Sequence, residues 1–162
     1  MTREEPTLHF VCGKIGAVKS TFTTKLGEAP GRVVVREDPL LAALYSGEQN
    51  DLADYVRNAG RLRAAIGPHL IEHLRSGLSV VLDFPANTPS SRAWMRELSE
   101  AAGCRHELHF LDVPDEVCRA RLHRRNAEGG HEYVVSDEEF DLFTSHLVPP
   151  SDEEGLIVTT HR

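Results

Sequence analysis

The chain has 162 residues, a formal net charge of −7 (18 Lys+Arg against 25 Asp+Glu) and 40% hydrophobic residues; this is enough for one domain over 1–162 with its own core. No apolar run approaches the roughly 18 residues of a membrane span. The polar start Met1–Pro6 and the short apolar Leu8–Cys12 lack a signal-peptide core, so a cytoplasmic protein without a membrane partner is expected, as a monomer or weak dimer. Three cysteines (Cys12, Cys104, Cys118) without C-x-x-C spacing argue against a disulfide framework or zinc ribbon. The basic residues are dispersed outside Arg119–Arg125, which disfavours a nucleic-acid partner but leaves a single nucleotide open.

Strand-like and helix-like patterns alternate along the chain. Thr7–Cys12 reads as a strand, Lys19–Leu26 as a helix and Arg32–Arg36 as a second strand. Asp38-Pro39 suits a helix start. Over Asp51–Arg75, Leu52, Tyr55, Ala59, Leu62, Ile66, Leu70 and Leu74 recur at spacings of three and four, predicting a long helix stopped by Gly77. Ser79–Asp83 is a third strand. Thr88 caps a helix running to Ala102 and closed by Gly103. His106–Val113 is a fourth strand. Pro114 opens a helix reaching about Asn126, and Gly129-Gly130 marks a break. Ser136-Asp-Glu-Glu139 is a capping box for a helix ending before Pro149. Gly155–Thr160 is the last strand. Such alternation, with continuous apolar strands such as Val33–Val35 and Val80–Leu82, predicts an α/β fold with a mostly parallel sheet covered on both faces.

Gly13-Lys-Ile-Gly-Ala-Val-Lys19-Ser20 joins the first strand to the first helix. It matches the P-loop pattern G-x-x-x-x-G-K-[S/T] at Gly13, Lys19 and Ser20. In that chemistry, backbone N–H groups of Gly13, Lys14, Ile15, Gly16, Ala17, Val18, Lys19, Ser20 and Thr21 wrap phosphates at a helix N-terminus. Lys19 reaches the β- and γ-phosphates, and Ser20 ligates Mg²⁺. The sixth position should be glycine and is Val18. If the loop needs positive φ there, a β-branched residue costs on the order of 1–3 kcal/mol in strain.

Together with Val35-Arg-Glu-Asp38, VVLDFPANT from Val80, LDVPDEVC from Leu111 and RLHRRN from Arg121, this loop resembles the small P-loop kinases grouped with AAA-type ATP-binding proteins. Polynucleotide 5′-kinases, chloramphenicol phosphotransferase and zeta toxins are relatives. The resemblance implies a three-layer P-loop NTPase fold of the kinase type, with a five-stranded parallel sheet of order 2-3-1-4-5 and a helical lid at about 115–135. It implies ATP and Mg²⁺ as cofactors and transfer of the γ-phosphate to a hydroxyl of a small molecule. Asp38, with Glu37 beside it, occupies the position of the base, although it also suits a helix cap. Asp83 ends the third strand, where it can hold Mg²⁺ through water or simply start the turn before Phe84-Pro85. Arg121 and Arg125, one helical turn apart, resemble the lid pattern R-L-x-x-R. The implied roles are Arg121 on adenine and Arg125 on phosphate; a solvated basic helix end is the alternative. Arg119 and Arg124 read as surface charges. Arg92 could face the substrate, and the acceptor pocket should lie along 51–75 and 85–92. Two other functions stay open: a nucleotide-binding module without turnover, and a polynucleotide 5′-hydroxyl kinase, which the −7 charge disfavours.

His69-Leu-Ile-Glu72-His73 matches the H-x-x-E-H of some zinc proteases. The two histidines share the stripe of Leu62 and Ile66, so packing at the core edge is the simpler expectation.

Overall fold

The structure, a computed structural model, describes residues 4–129 and 135–162. Its strands are β1 (Thr7–Gly13), β2 (Arg32–Arg36), β3 (Ser79–Asp83), β4 (Arg105–Leu111) and β5 (Val158–His161). They form one sheet of order β2-β3-β1-β4-β5, with every pairing parallel. The helices are α1 (Lys19–Leu26), α2 (Glu37–Leu44), α3 (Leu52–Arg75), α4 (Pro89–Ala102), α5 (Asp115–Glu128) and α6 (Asp137–Ser145). The expected sheet order is therefore the observed one.

The helix ends follow local chemistry. Asp51 accepts from Asp54 N at the start of α3, Thr88 accepts from Ser91 N at the start of α4, and Ser136 and Glu139 form the capping box of α6. Gly103 ends α4 in the left-handed conformation at φ 66°. Several boundaries differ from the sequence reading: β4 runs over Arg105–Leu111 and not His106–Val113, and α5 continues to Glu128, past Asn126. The α2 helix starts at Glu37 with Arg36 as its cap, so Asp38 lies inside the first turn and is not the cap. Pro114 is the cap of α5 and not its first helical residue. A short 3-10 turn at Asp152–Glu154 pushes β5 on to Val158–His161. Gly130 lies outside the described residues.

The period of two along β1 builds two different faces. Leu8, Phe10 and Cys12 join Val80 and Leu82 of β3, Leu62, Leu70 and Leu74 of α3, and Met95 and Leu98 of α4 in the main core. A fully buried Leu or Phe there contributes roughly 1.5–3 kcal/mol. Leu52 sits on the predicted stripe but beyond this core, and 64% of it is exposed. On the other face Val11 packs with Ala17, Leu111, Cys118, Leu122 and Phe140. The rest of that face is polar. His9, His109 and His161 line up across β1, β4 and β5, under Phe22 of α1. Burial lowers the pKa of His9 and takes that of His109 down to about 4.

Candidate phosphate-transfer site

The C-terminal edge of the sheet carries the loop between β1 and α1. Gly13 N–H donates to Asn87 Oδ1 at 3.1 Å, and Ala17 N–H donates to Lys14 O at 3.0 Å, which closes the turn. Gly16 has φ 84°, and a Cβ there would stand 2.7 Å from Cys118 O, so the turn and its contact with α5 both require glycine. Val18 has φ 60° and ψ 43° and is the one described non-glycine residue with positive φ. This is left-handed backbone on a β-branched residue, a strained state of order 1–3 kcal/mol. It caps α1 without a side-chain hydrogen bond, and its side chain is 47% exposed.

Lys19, the first residue of α1, makes no hydrogen bond or ion pair with any described residue. Burial lowers its pKa, opposed by the nearby Cys12, Asp83, Asp38 and Glu37. Lys14 behaves in the opposite way: its ammonium donates to Val113 O at 2.9 Å and pairs with Asp115 at 2.7 Å. Only its backbone can therefore serve the loop. Ile15 packs on the second core. Ser20 and Thr21 are exposed.

Asp83 ends β3 opposite Arg36 of β2. Its Oδ2 accepts from Arg36 Nη1 at 2.6 Å and from Thr23 Oγ1 at 3.3 Å, leaving Oδ1 without a described partner. The same guanidinium reaches Thr24 Oγ1 at 2.6 Å. Arg36, which the sequence reading did not single out, thus ties the ends of β2 and β3 to α1.

Beside this edge lies a second polar group that local sequence signals missed. Glu37 is 1% exposed, while Asp38 next to it is exposed. Tyr55 of α3 donates its hydroxyl to Glu37 Oε1 at 2.5 Å. Arg63 Nη2 stands 3.8 Å from Glu37 Oε2, which itself has no hydrogen bond. Burial raises the Glu37 pKa. It also raises that of Tyr55, reinforced by the neighbouring carboxylate. The Arg63 guanidinium lies 5.1 Å over the Trp94 ring. Its Nε, like the Nδ2 of the buried Asn58, has no partner. An adjacent acid pair on a strand end was visible in the sequence. Which of the two acids would be buried depends on where α3 crosses it.

Arg121 and Arg125 are exposed on α5, and Arg121 Nη1 lies 3.5 Å from Gly16 O. Arg125 has no described partner. Arg119, expected as a surface charge, pairs with Asp141 and stacks 4.7 Å from the Phe140 ring, joining α5 to α6. Arg92 does not face a substrate: it is 0% exposed and binds Glu154. His69 is exposed and not packed as expected, and neither it nor His73 has a third ligand among the described residues. No described helix is long and apolar enough to cross a membrane.

Solved structures share this architecture. A putative kinase from Chloroflexus aurantiacus J-10-fl superposes with a TM-score of 0.71 at 18% identity, covering 99% of this chain and 86% of its own. A gluconokinase from Sinorhizobium meliloti 1021 gives 0.60 at 20% identity, covering 98% and 84%. The Mycobacterium tuberculosis APS kinase CysC, solved with AMPPNP and APS, gives 0.53 at 25% identity, covering 80% and 79%. No match is found among curated protein sequences. Residues 8–150 match the family described as AAA domain. The chain therefore belongs to the AAA domain family and has the fold of the small P-loop kinases.

Proposed function

We propose that the protein is an ATP- and Mg²⁺-dependent phosphotransferase acting on a hydroxyl of a small molecule. The observation that carries this reading is Lys19: a half-buried ammonium at a helix N-terminus, without a hydrogen bond or ion pair to any described residue and in the field of Asp83, Asp38 and Glu37. A half-buried cation without a partner among the described residues is available to an anion brought by a ligand. The backbone N–H groups from Gly13 to Thr21 suit the phosphates, and Ser20 and the free Oδ1 of Asp83 suit the metal side. When bound, ATP-Mg²⁺ supplies an electrophilic phosphoryl group with its charge partly neutralised.

The chain's own residues divide the remaining work. Lys19 holds negative charge on the phosphates, and Arg125 and Arg121 on α5 add to it from the lid side. Asp38, exposed in the first turn of α2 just past the end of β2 and therefore accessible, orients the acceptor hydroxyl and takes its proton. Glu37 is less suited to that task. Its carboxylate is buried and its proton is held more firmly, so it fixes Tyr55 and Arg63 along the acceptor wall. Asn58 and Trp94 complete that wall. The gluconokinase and the APS kinase among the structural neighbours support a small hydroxylated acceptor, and a cytoplasmic site of action fits a soluble nucleotide donor.

Asp38→Asn tests the assignment. Calorimetric titration should give ATP-Mg²⁺ binding within about twofold of the parent, since asparagine keeps the size, while transfer to hydroxyl compounds in a screen falls by 10²-fold or more. Equal loss of binding would make Asp38 part of the nucleotide site. A second reading, a nucleotide-binding module without turnover, is favoured by one observation: the left-handed Val18 in the loop.

A further inference from the structure

We propose that the polar face of the sheet holds a zinc site made by His9 Nδ1, His109 Nε2 and the Glu107 carboxylate. It lies on the strands themselves, apart from the phosphate loop and independent of the kinase reading. His9 and Glu107 are directly opposite in the β1–β4 register, and His109 is two residues farther along on the same face. The two ring nitrogens are 3.1 Å apart. Each stands 3.9 Å from its own oxygen of Glu107. A tetrahedral zinc with bonds near 2.0–2.1 Å holds its ligand atoms about 3.3 Å apart. The histidine pair already has that spacing; because the two 3.9 Å distances belong to different oxygens, the ligating oxygen must close by more than about 0.6 Å on one ring, which rotation of the Glu107 side chain supplies.

The outer shell is what such a site needs. A ligating histidine gives its other N–H to a carboxylate or another acceptor, which fixes its tautomer. His9 Nε2 points to Glu4 at 4.0 Å, and His109 Nδ1 to His161 Nε2 at 3.1 Å. Thr159 donates to Glu107 at 2.9 Å and holds the third ligand. Both histidines are at most 5% exposed, while the Glu107 side chain is 27% exposed and gives an ion its way in.

A plain hydrogen-bonded histidine chain explains less. It sets the Glu107 carboxylate beside two buried rings with no cation within ion-pair distance among the described residues; Arg32, close to the histidines, is committed to Glu4 at 2.8 Å. A divalent cation held between the three groups supplies that positive charge. In the zinc-bound form His9 keeps its proton on Nε2, toward Glu4, His109 keeps its own on Nδ1 and donates it to His161 Nε2, and His161 carries its proton on Nδ1. Both inner nitrogens are left with lone pairs for the metal, and a fourth position stays open for water.

The test is calorimetric titration of ZnCl₂ into the chelator-stripped full chain, in buffer with Mg²⁺ and without nucleotide. The expected result is one zinc per chain, a higher melting temperature with zinc, and visible absorption bands of a tetrahedral site when Co²⁺ replaces it. His109→Gln should weaken zinc at least about tenfold. Because that variant removes a buried ring, Glu107→Gln provides a second reading: it preserves shape and should weaken zinc by a similar factor with an unchanged apo melting temperature. His69→Ala/His73→Ala should bind as the parent does. Absence of binding at 100-fold excess of zinc, or binding that survives both Glu107→Gln and His109→Gln, overturns the site. So does loss of binding with the His69/His73 pair.

Discussion

Two arginines pack against helices on the same face of the sheet and end differently. Arg92 on α4 is completely buried and finished. Its Nε and Nη2 bind Glu154 at 2.7 and 3.1 Å, and Nη1 donates to Ala86 O at 3.0 Å and Val148 O at 2.8 Å. Arg63 on α3 is unfinished. Its bonds to Ser91 and Pro85 are long, at 3.3 and 3.4 Å, its acid partner is 3.8 Å away, and Nε has nothing. Glu154 has its pKa lowered by Arg92, whereas burial raises that of Glu37 beside Arg63. A buried charge whose partners are complete belongs to the fold. One whose partners are incomplete is free to meet a ligand, as the proposed function requires. Lys19 belongs with the unfinished group.

The largest expected effect falls on the finished region. Arg92→Ala removes the guanidinium from two carbonyls and leaves Glu154 with only the Ser151 N–H, and should cost about 3–5 kcal/mol of stability, read by urea unfolding. A cost below about 1 kcal/mol would dissolve the distinction, because Arg92 would then be as dispensable to the fold as a surface charge.

Next in size is Lys19→Ala, which should weaken ATP-Mg²⁺ binding by 10²-fold or more, about 2.8 kcal/mol. Its apo melting temperature should stay level or rise. The sign follows from the lowered pKa: folding disfavours the ammonium, so removing it removes a penalty. Unchanged binding would take Lys19 out of the nucleotide site.

Val18→Gly follows, with ATP-Mg²⁺ binding tighter by at least about tenfold, or roughly 1.4 kcal/mol. Glycine accepts the left-handed backbone at φ 60° without strain and clears a branched side chain from the loop. Stability without ligand can fall slightly, since glycine loosens the unfolded chain. Affinity from calorimetry and apo melting temperature separate the two effects. Unchanged affinity would mean that the strain at Val18 is confined to the fold and does not reach the phosphates.

Much of this contrast was legible locally, and the rest was not. Lys19–Leu26, Arg32–Arg36 and Ser79–Asp83 have the ends that caps, glycines and apolar runs indicated. The strain at Val18 could be read from one letter in a motif. By contrast, Arg92 finds Glu154 62 residues away, and Tyr55 finds Glu37 across 18. No local pattern encodes such pairs. The histidine row likewise appears only when the register brings β1, β4 and β5 together. Charged residues on amphipathic helices look alike in sequence; their partners distinguish them.

The smallest effect decides the comparison. Arg63→Ala should cost no more than about 1 kcal/mol in apo stability, several-fold less than Arg92→Ala. Its links to the fold are two long hydrogen bonds to Ser91 and Pro85, a stacking contact on Trp94, worth about 0.5–1 kcal/mol, and a loose ion pair. Glu37 keeps the Tyr55 hydroxyl and can hold its proton, so the acid left behind is not a bare buried charge. That makes the deficit pH-dependent. The raised pKa means the folded state already holds the Glu37 proton more tightly than the unfolded chain does, so ionising Glu37 works against folding as pH rises. Arg63 is the cation that offsets this. Unfolding curves of Arg63→Ala and parent should therefore converge in acid and separate as pH rises through the Glu37 titration. A large deficit, equal at all pH values, would instead make Arg63 a structural arginine like Arg92, and the polar wall on α3 would lose its claim to the acceptor.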